Sequence, residues 1–260
     1  MMARLLVVIV GVPLMYAGLV WHDLSRVLLF AVAAIFGMRE LFAMFAPKGV
    51  KPPVLDYSLG LAILWAAETQ GEHGLLMATT LSIIILAIAV VLRGLDYTGF
   101  KLFSLGVASI LYIPFCLSFL LMIAHGPDLG GRAVFAVLTM IWSLDIGAYL
   151  SGRALGGPKL ASFISPNKTI AGAAGGIVAC FLAVWGMQSL GWITLSANRM
   201  VALGLGVGIV GQLSDLFESV LKREAGVKDS GTVFGAHGGM LDRLDSVLFV
   251  GPLAYGLLML

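Results

Sequence analysis

The chain has 260 residues, of which 60% are hydrophobic and 12% are charged, and its mean hydropathy is +1.01. This composition excludes a soluble domain, because no polar stretch is long enough to fold alone, and it is typical of a protein with several membrane spans. The net charge of +2 identifies no partner by itself, and we expect no nucleic acid among the partners. The two cysteines, Cys116 and Cys180, lie within apolar runs, so we expect buried thiols rather than a disulfide or a metal pair.

Nine apolar segments are long enough, or nearly long enough, to cross a bilayer as helices. In chain order they cover about 4–21, 25–46, 54–68, 74–93, 102–124, 133–151, 170–190, 200–218 and 243–260. No convincing cleavage site follows the first, so we interpret it as a retained helix. The third is short and carries Asp56 and Tyr57, so it is either a span or a tilted, re-entrant or interfacial helix. The prediction is an all-α polytopic membrane bundle.

The lysines and arginines predict the orientation of the spans, because cytoplasmic connections carry an excess of positive charge. Three lie on one side of the predicted membrane: Arg26, Arg132 and Arg199. Arg39 lies within the second span. The other side has twelve: Arg4, Lys48, Lys51, Arg93, Lys101, Arg153, Lys159, Lys168, Lys222, Arg223, Lys228 and Arg243. We therefore expect the N-terminus and the connections 152–169 and 219–242 in the cytoplasm, where nucleotides and divalent cations are available.

The cytoplasmic end of the eighth span carries four polar residues on one helix face, at spacing i, i+3, i+4 and i+7: Asp215, Glu218, Ser219 and Lys222. Snorkelling of a helix end would explain Lys222 and Arg223. It explains Asp215 poorly, because this carboxylate lies deeper, beside an apolar run. We therefore favour a functional role for Asp215 and Glu218.

Two carboxylates, Asp242 and Asp245, flank Arg243 at the start of the ninth span. They are either the favourable acidic start of a helix or ligands of a hard cation such as Mg²⁺. Asp215 and Asp229 are available as further ligands, which favours the cation site.

Four glycines surround His237: Gly231, Gly235, Gly238 and Gly239. They form either a plain flexible turn or a loop whose backbone amides cradle phosphate. His237 could bond a phosphate oxygen, transfer a proton or cap the turn. As the only histidine on the predicted cytoplasmic side, it is a candidate for the site.

The sixth span and the connection after it hold a second polar block. Asp145 lies within an apolar span, where an unpaired carboxylate is costly. Arg153 and Lys168 suit phosphate binding, whereas membrane topology alone explains Lys159. Three glycines of the seventh span are more typical of close helix packing than of ligand contacts: Gly172, Gly175 and Gly176. Earlier in the chain, Arg39 and Glu40 are adjacent in one helix, so each needs a partner elsewhere.

The segment Ser219–Asp245 resembles, position by position, the signature of the phosphatidate cytidylyltransferases, also called CDP-diacylglycerol synthases. Its pattern is S-x-hydrophobic-K-R, four residues, K-D, a glycine region, H-G-G and D-R-x-D. A second block, 145–153 with 165–169, is also similar to the family, whereas the first half resembles it only in hydropathy. Two departures are Ala171, where the family has Glu, and Gly235-Ala236, where it has Pro-Gly. The first removes a carboxylate close to the expected site.

The resemblance implies transfer of CMP from CTP to phosphatidic acid, giving CDP-diacylglycerol and pyrophosphate in phospholipid biosynthesis, with Mg²⁺ and with room for a second cation. The cation ligands would be Asp215, Asp242 and Asp245, with Asp229 as a further candidate. Phosphates would be held by Lys168, Lys222, Arg223, Lys228 and Arg243, and His237 would position or protonate a phosphate oxygen. The remaining substrate-binding candidates are Asp145, Arg153, Ser165, Thr169, Glu218, Ser219, Gly238 and Gly239.

The resemblance also implies the organisation of the protein in its membrane. Residues 1–130 would form scaffolding helices that face lipid and offer dimer contacts. Residues 131–260 would form the catalytic region, a polar funnel open to the cytoplasm that phosphatidic acid enters sideways from the bilayer. We expect a homodimer in the cytoplasmic membrane of a bacterium.

Three other functions remain open. One is a CTP-dependent enzyme with a different lipid acceptor, and another is a non-catalytic paralogue; Ala171 keeps both in view. A transporter or channel would use Asp145, Asp215 and Asp245 as an ion path. Such a path predicts acidic residues at all membrane depths, whereas six of the fourteen lie between residues 215 and 245: Asp215, Glu218, Glu224, Asp229, Asp242 and Asp245.

Overall fold

The computed structural model describes residues 2–46, 53–93, 97–126, 130–235 and 238–259. In these ranges the protein is almost entirely helical, as predicted. The helices are α1 (Met2–Val20), α2 (Asp23–Phe45), α3 (Val54–Arg93), α4 (Tyr97–Ile110), a π-helix (Leu111–Phe115), α5 (Cys116–Ile123), α6 (Gly131–Leu155), α7 (Ile170–Ser189), α8 (Ala197–Glu224), α9 (Leu241–Leu244) and α10 (Val247–Met259). Strands β1 (Lys159–Ala161) and β2 (Ser165–Thr169) form one antiparallel hairpin.

Six helical segments in the described ranges are long and apolar enough to cross a membrane. They are Asp23–Phe45, Val54–Arg93, Gly99–Ile123, Gly131–Leu155, Ile170–Ser189 and Ala197–Glu224. The prediction of a polytopic helical membrane protein is therefore confirmed at this level. Both cysteines are free and buried, also as predicted.

Helix α3 reverses direction near its middle. Gly71 has φ 61° and ψ −141°, a conformation that only glycine adopts readily. A Cβ on Gly74 would collide with the carbonyl of Ala66, eight residues earlier, whereas in a straight helix these positions are about 12 Å apart. The residues on either side of Gly71 therefore form two antiparallel arms. This division matches the separate segments expected at 54–68 and 74–93.

Helices α6 and α7 pack with almost no side-chain layer between them. A Cβ on Gly172 would lie 2.8 Å from the carbonyl oxygen of Ala148, and one on Gly176 would lie 2.9 Å from that of Leu144. Gly147 approaches Gly175 in the same way. The prediction that these glycines serve close packing is confirmed, and the packing fixes one wall of the site described next.

The connection between α6 and α7 folds into the β1–β2 hairpin, whereas the sequence predicted only a loop. Gly156 and Gly157 both have positive φ and turn the chain out of α6. Lys159 pairs with Thr169 and Ala161 with Ser165 across the hairpin. Thr169 then caps α7, its Oγ1 accepting the N–H of Gly172 at 3.0 Å. The hairpin thereby fixes the position of Lys168.

Candidate active site

A cavity of about 500 Å³ opens between α6, the hairpin, α7 and α8. Its charged lining residues all come from the two blocks that the sequence analysis selected. The full lining is Leu144, Asp145, Ala148, Tyr149, Gly152, Arg153, Leu160, Asn167, Lys168, Thr169, Gly172, Ala173, Gln212, Asp215 and Ser246. The mixture of polar groups and apolar walls suits a ligand with a charged head and an apolar part.

Lys168 and Asp215 form an ion pair at the wall of this cavity, although 47 residues separate them in sequence. The hydroxyl of Ser219, one turn further along α8, lies 3.5 Å from the other carboxylate oxygen of Asp215. Gln212 fixes the same helix by donating to the carbonyl of Ala173 in α7 at 3.2 Å. The structure therefore brings together residues of both predicted blocks.

Three carboxylates, Asp145, Asp215 and Asp245, are close enough to interact electrostatically. They come from α6, α8 and the turn before α10. The hydroxyl of Ser214 bonds the carbonyl of Asp245, and the N–H of Ser246 donates to the side chain of Asp245 at 2.6 Å. Like charges that interact in an apolar setting repel one another, and a cation among them would reduce the repulsion.

A second charged cluster lies beside the cavity. Lys222 pairs with Glu218 one turn earlier on α8, and its Nζ lies 2.7 Å from Oδ1 of Asp242. Glu218 is fully buried, and only 13% of the Lys222 side chain is exposed. The predicted shared face of Asp215, Glu218, Ser219 and Lys222 is confirmed by the pairs Asp215–Ser219 and Glu218–Lys222.

Asp242 is held by several donors at once. Besides Lys222, its donors are the N–H of Ser230 at 3.0 Å and the N–H of Gly239 at 2.7 Å. The hydroxyl oxygen of Ser230 also lies 3.0 Å from Asp242, and its single proton is shared between Asp242 and Glu40. Burial by itself would raise the pKa of Asp242, but the bonds from Lys222 and from the two backbone N–H groups outweigh it and hold the pKa below its ordinary value. Asp242 is therefore an ionised carboxylate whose oxygens are engaged within the protein.

The predicted cation ligands do not all meet. Across the described ranges, no three histidine, cysteine or acidic side chains form a group that could hold a metal ion as they stand. Asp242 bonds Lys222 and Ser230, whereas Asp215 pairs with Lys168 and interacts electrostatically with Asp145 and Asp245. The cation site with Asp242 as a ligand therefore stays a prediction without geometric support.

The other predicted site residues have diverse placements. Arg153 contacts the hydroxyl of Tyr149 at 3.2 Å, and Arg223 bonds the carbonyl of Ile164 in the hairpin at 3.3 Å. Ser165 is half-buried at the start of β2, and three residues are exposed: Lys228, Asp229 and Arg243. His237 lies outside the described residues, so its predicted role is untested.

The glycine-rich stretch has a different environment from the predicted phosphate cradle. The N–H of Gly239 already donates to Asp242. Gly238 has φ 83°, and a Cβ on Gly231 would lie 2.5 Å from the carboxylate of Glu40. These glycines thus provide room for a neighbouring helix, and the role of Gly238 and Gly239 in substrate binding stays a prediction.

Glu40 is the residue that sequence reasoning did not place. It is 4% exposed, and its carboxylate accepts bonds from the hydroxyl of Ser230 and from the N–H groups of Met240 and Leu241. The one available signal was an acidic residue inside an apolar span whose neighbour in sequence could not be its partner. The sequence left that partner unidentified, since it lies 190 residues or more away.

The fold and the site define a helical membrane protein with a cationic and acidic cavity, the features of an enzyme that handles phosphates beside a bilayer. The chain belongs to the cytidylyltransferase family, whose model matches residues 2–260. It is similar to the phosphatidate cytidylyltransferase of Bacillus subtilis, with 36% identity over 86% of each chain. The phosphatidate cytidylyltransferases of Staphylococcus epidermidis and Synechocystis are each 32% identical to this chain over 97% of its length. The matches cover 97% of the first relative and 94% of the second.

Proposed function

We propose that the protein transfers CMP from CTP to phosphatidic acid, giving CDP-diacylglycerol and pyrophosphate. The observation that carries the proposal is similarity along nearly the whole chain to relatives named phosphatidate cytidylyltransferase. The cavity adds support, because Lys168 of the second family-like block lines it and pairs there with Asp215, four residues before the signature segment.

The reaction joins two anions, and this determines what the site must do. A phosphate oxygen of the lipid attacks the α-phosphorus of CTP, a new P–O bond forms, and the bond to the pyrophosphate breaks. Cationic groups must hold the reactants in line and neutralise the charge that develops on the leaving group. Lys168 lines the cavity and can exchange Asp215 for a phosphate oxygen. Lys222 and Arg223 lie in the last turn of α8 and would hold further phosphate oxygens.

The acidic residues at and beside the cavity fit a divalent cation by the chemistry of their donors. Asp215 and Asp245 would be its ligands, with Asp145 close to both, since oxygen donors suit Mg²⁺ and the three carboxylates repel one another otherwise. When bound, the cation would supply charge neutralisation for the phosphates. Asp242 would instead hold Lys222 in place.

The arrangement in the membrane is part of the proposal. We infer nine spans: five of the six long apolar segments, the two arms of α3 that make up the sixth, α1 and α10. The N-terminus and the funnel would face the cytoplasm of a bacterium. Apolar residues near the cavity, Ile146, Leu150 and Phe163, are exposed and would contact lipid as phosphatidic acid enters sideways. The homodimer rests on the family resemblance alone.

The test uses purified protein in micelles with phosphatidic acid and CTP, and it follows CDP-lipid and pyrophosphate with and without Mg²⁺. We expect metal-dependent turnover that falls by roughly 10³-fold or more in Asp245→Asn, as for removal of a group that stabilises the transition state. Asp23→Asn is the control, because its carboxylate is 70% exposed and pairs with Arg26 away from the cavity.

Folded wild-type protein that turns over no phosphatidic acid would contradict the proposal. Turnover with another lipid phosphate in competition would identify a changed acceptor, as Ala171 in the first turn of α7 allows. Full activity in Asp245→Asn would remove Asp245 from the cation site.

A further inference from the structure

A buried contact joins the N-terminal half of the chain to the signature segment. Glu40 lies near the end of α2, and its carboxylate reaches Ser230 and the start of α9. The three bonds are 2.9 Å to the hydroxyl of Ser230, 2.8 Å to the N–H of Met240 and 2.8 Å to the N–H of Leu241. All three lengths are those of well-formed hydrogen bonds.

The site around Glu40 is shaped to receive a carboxylate. Ser230 is 6% exposed and Leu241 is fully buried. Gly231 and Gly239 border the carboxylate, and a Cβ on either would collide with it. A carboxylate buried in this way is costly unless it is fully hydrogen-bonded, so each of these bonds carries a large penalty for its loss.

The contact continues into the charged cluster beside the cavity. The hydroxyl of Ser230 lies between Glu40 and Asp242, at 2.9 and 3.0 Å. Asp242 in turn holds Lys222, whose other partner is Glu218. A chain of contacts therefore runs from α2 through Ser230 and Asp242 to the ammonium group at the end of α8.

We propose that Glu40 is a positioning residue: it ties α2 to Ser230 and α9, and through Asp242 it sets the position of Lys222. The inference rests on the proposed function for its kinetic consequence, but not for its structural one. The N-terminal half thereby contributes to the reaction as well as forming a scaffold.

The first experiment compares Glu40→Gln with Glu68→Gln. The amide of glutamine keeps the size of the side chain but has only one acceptor oxygen. In Glu40 both carboxylate oxygens accept hydrogen bonds, so the variant leaves at least one donor without its partner. Glu68 is a matched control, because it is also a poorly exposed acid on a membrane helix, and it pairs with His125. Glu68 also interacts with Arg26, which lies 14 residues before Glu40 on α2. At the rise of an α-helix, Glu68 and Glu40 are therefore roughly 20 Å apart along the bundle.

The kinetic readout separates positioning from folding. We expect kcat/KM for CTP to fall by about 10- to 100-fold in Glu40→Gln, with a raised KM for CTP, as for residues that orient site groups. A smaller folded fraction would lower only the maximal rate, and that result would overturn the proposal. In Glu68→Gln both constants stay within about twofold of wild type.

The structural readout needs no activity. Both native cysteines are buried, so a Val233→Cys variant can be spin-labelled at an exposed position of the signature segment. We expect the label to become more mobile when Glu40→Gln is added and to stay unchanged with Glu68→Gln. A lack of turnover in the wild type would therefore count against the proposed function, while an unchanged label would count against the role of Glu40.

Ser230→Ala provides the second variant, in case Glu40→Gln fails to fold. It removes one hydroxyl, and we expect the same rise in KM for CTP and in label mobility, though smaller. Because the two residues act through one contact, the double variant Glu40→Gln/Ser230→Ala should lose less than the sum of the two single losses. Fully additive losses, or a Ser230→Ala protein with wild-type KM and mobility, would overturn the inference.

Discussion

At the scale of single residues, the structure divides the acidic side chains into two groups. Asp145 and Asp215 line the cavity and interact electrostatically with Asp245, whereas Asp242 and Glu218 hold Lys222. The first group suits a cation, and the second orients an ammonium group. Removing a member should therefore affect metal dependence in the first case and the position of Lys222 in the second.

Lys168→Met should lower kcat/KM by about 100-fold, because it removes a phosphate-binding charge and leaves Asp215 unpaired at the cavity. Lys159→Met in the same hairpin should change it less than about twofold, since Lys159 is exposed and outside the cavity lining. Steady-state kinetics on the two variants decide the matter. Equal losses in both would show that only the positive charge of the connection is needed.

Asp242→Asn should lower the stability of the folded protein at pH 7 by about 2 kcal/mol, because it weakens the bonds from Lys222, Ser230 and Gly239. The folded-state pKa of Asp242 lies below its ordinary 3.8, so its stabilisation is present above that pH and is lost as the pH falls through the lower, folded-state value. Thermal unfolding in micelles should show a difference between wild type and variant that is constant from pH 7 to about 5 and shrinks below about 4. A difference that persists in strong acid would contradict this.

At the scale of elements, close packing of α6 against α7 is what sets the cavity wall. The glycines bring the two backbones together, so that Asp145 on α6 and Thr169 at the start of α7 line one cavity. The hairpin then supplies Lys168. Neither element could form the cavity by itself.

Gly176→Ala should destabilise the protein by about 1–3 kcal/mol, because its new Cβ would lie 2.9 Å from the carbonyl oxygen of Leu144. Gly186→Ala in the same helix is the control. Among the described residues, no atom outside its own stretch of helix lies within 4 Å of an added Cβ, and the higher helix propensity of alanine should leave stability equal or up to about 1 kcal/mol higher. Unfolding of the two variants in mixed micelles measures the difference. Equal stabilities would show that α6 and α7 can separate without loss.

At the scale of the whole molecule, the reversal at Gly71 and the distribution of positive charge together predict which segments share a side of the membrane. The arm before Gly71 starts near the end of the arm after it, since Asp56 and Arg93 line one small cleft. The bend therefore lies at the opposite end of α3 from this cleft. Residues near Gly71 should face outward and residue 233 inward.

A topology experiment tests this arrangement. Single cysteines replace His73 and Val233, both exposed, while the native cysteines are buried. A membrane-impermeant maleimide should label His73→Cys in intact cells and Val233→Cys only after permeabilisation, as the excess of positive charge predicts. Labelling of both from the same side would contradict the orientation and the hairpin form of α3.

The sequence by itself determined the helical membrane class, the buried cysteines, the glycine packing and the polar face of α8. Each follows from a local pattern: apolar length, small residues at helical spacing, or charges at i, i+3, i+4 and i+7. The family signature added the candidate residues. These properties depend on neighbours within one helix or two consecutive ones, and the sequence displays such neighbours directly.

Only the tertiary structure decided which helices share the site. It placed Asp145 beside Asp215, turned Asp242 toward Lys222, and brought Glu40 of α2 against α9. Helical periodicity shows which face a residue occupies but not which distant helix covers that face. Glu40 and Leu241 are 201 residues apart, so their contact depends on how the whole bundle packs.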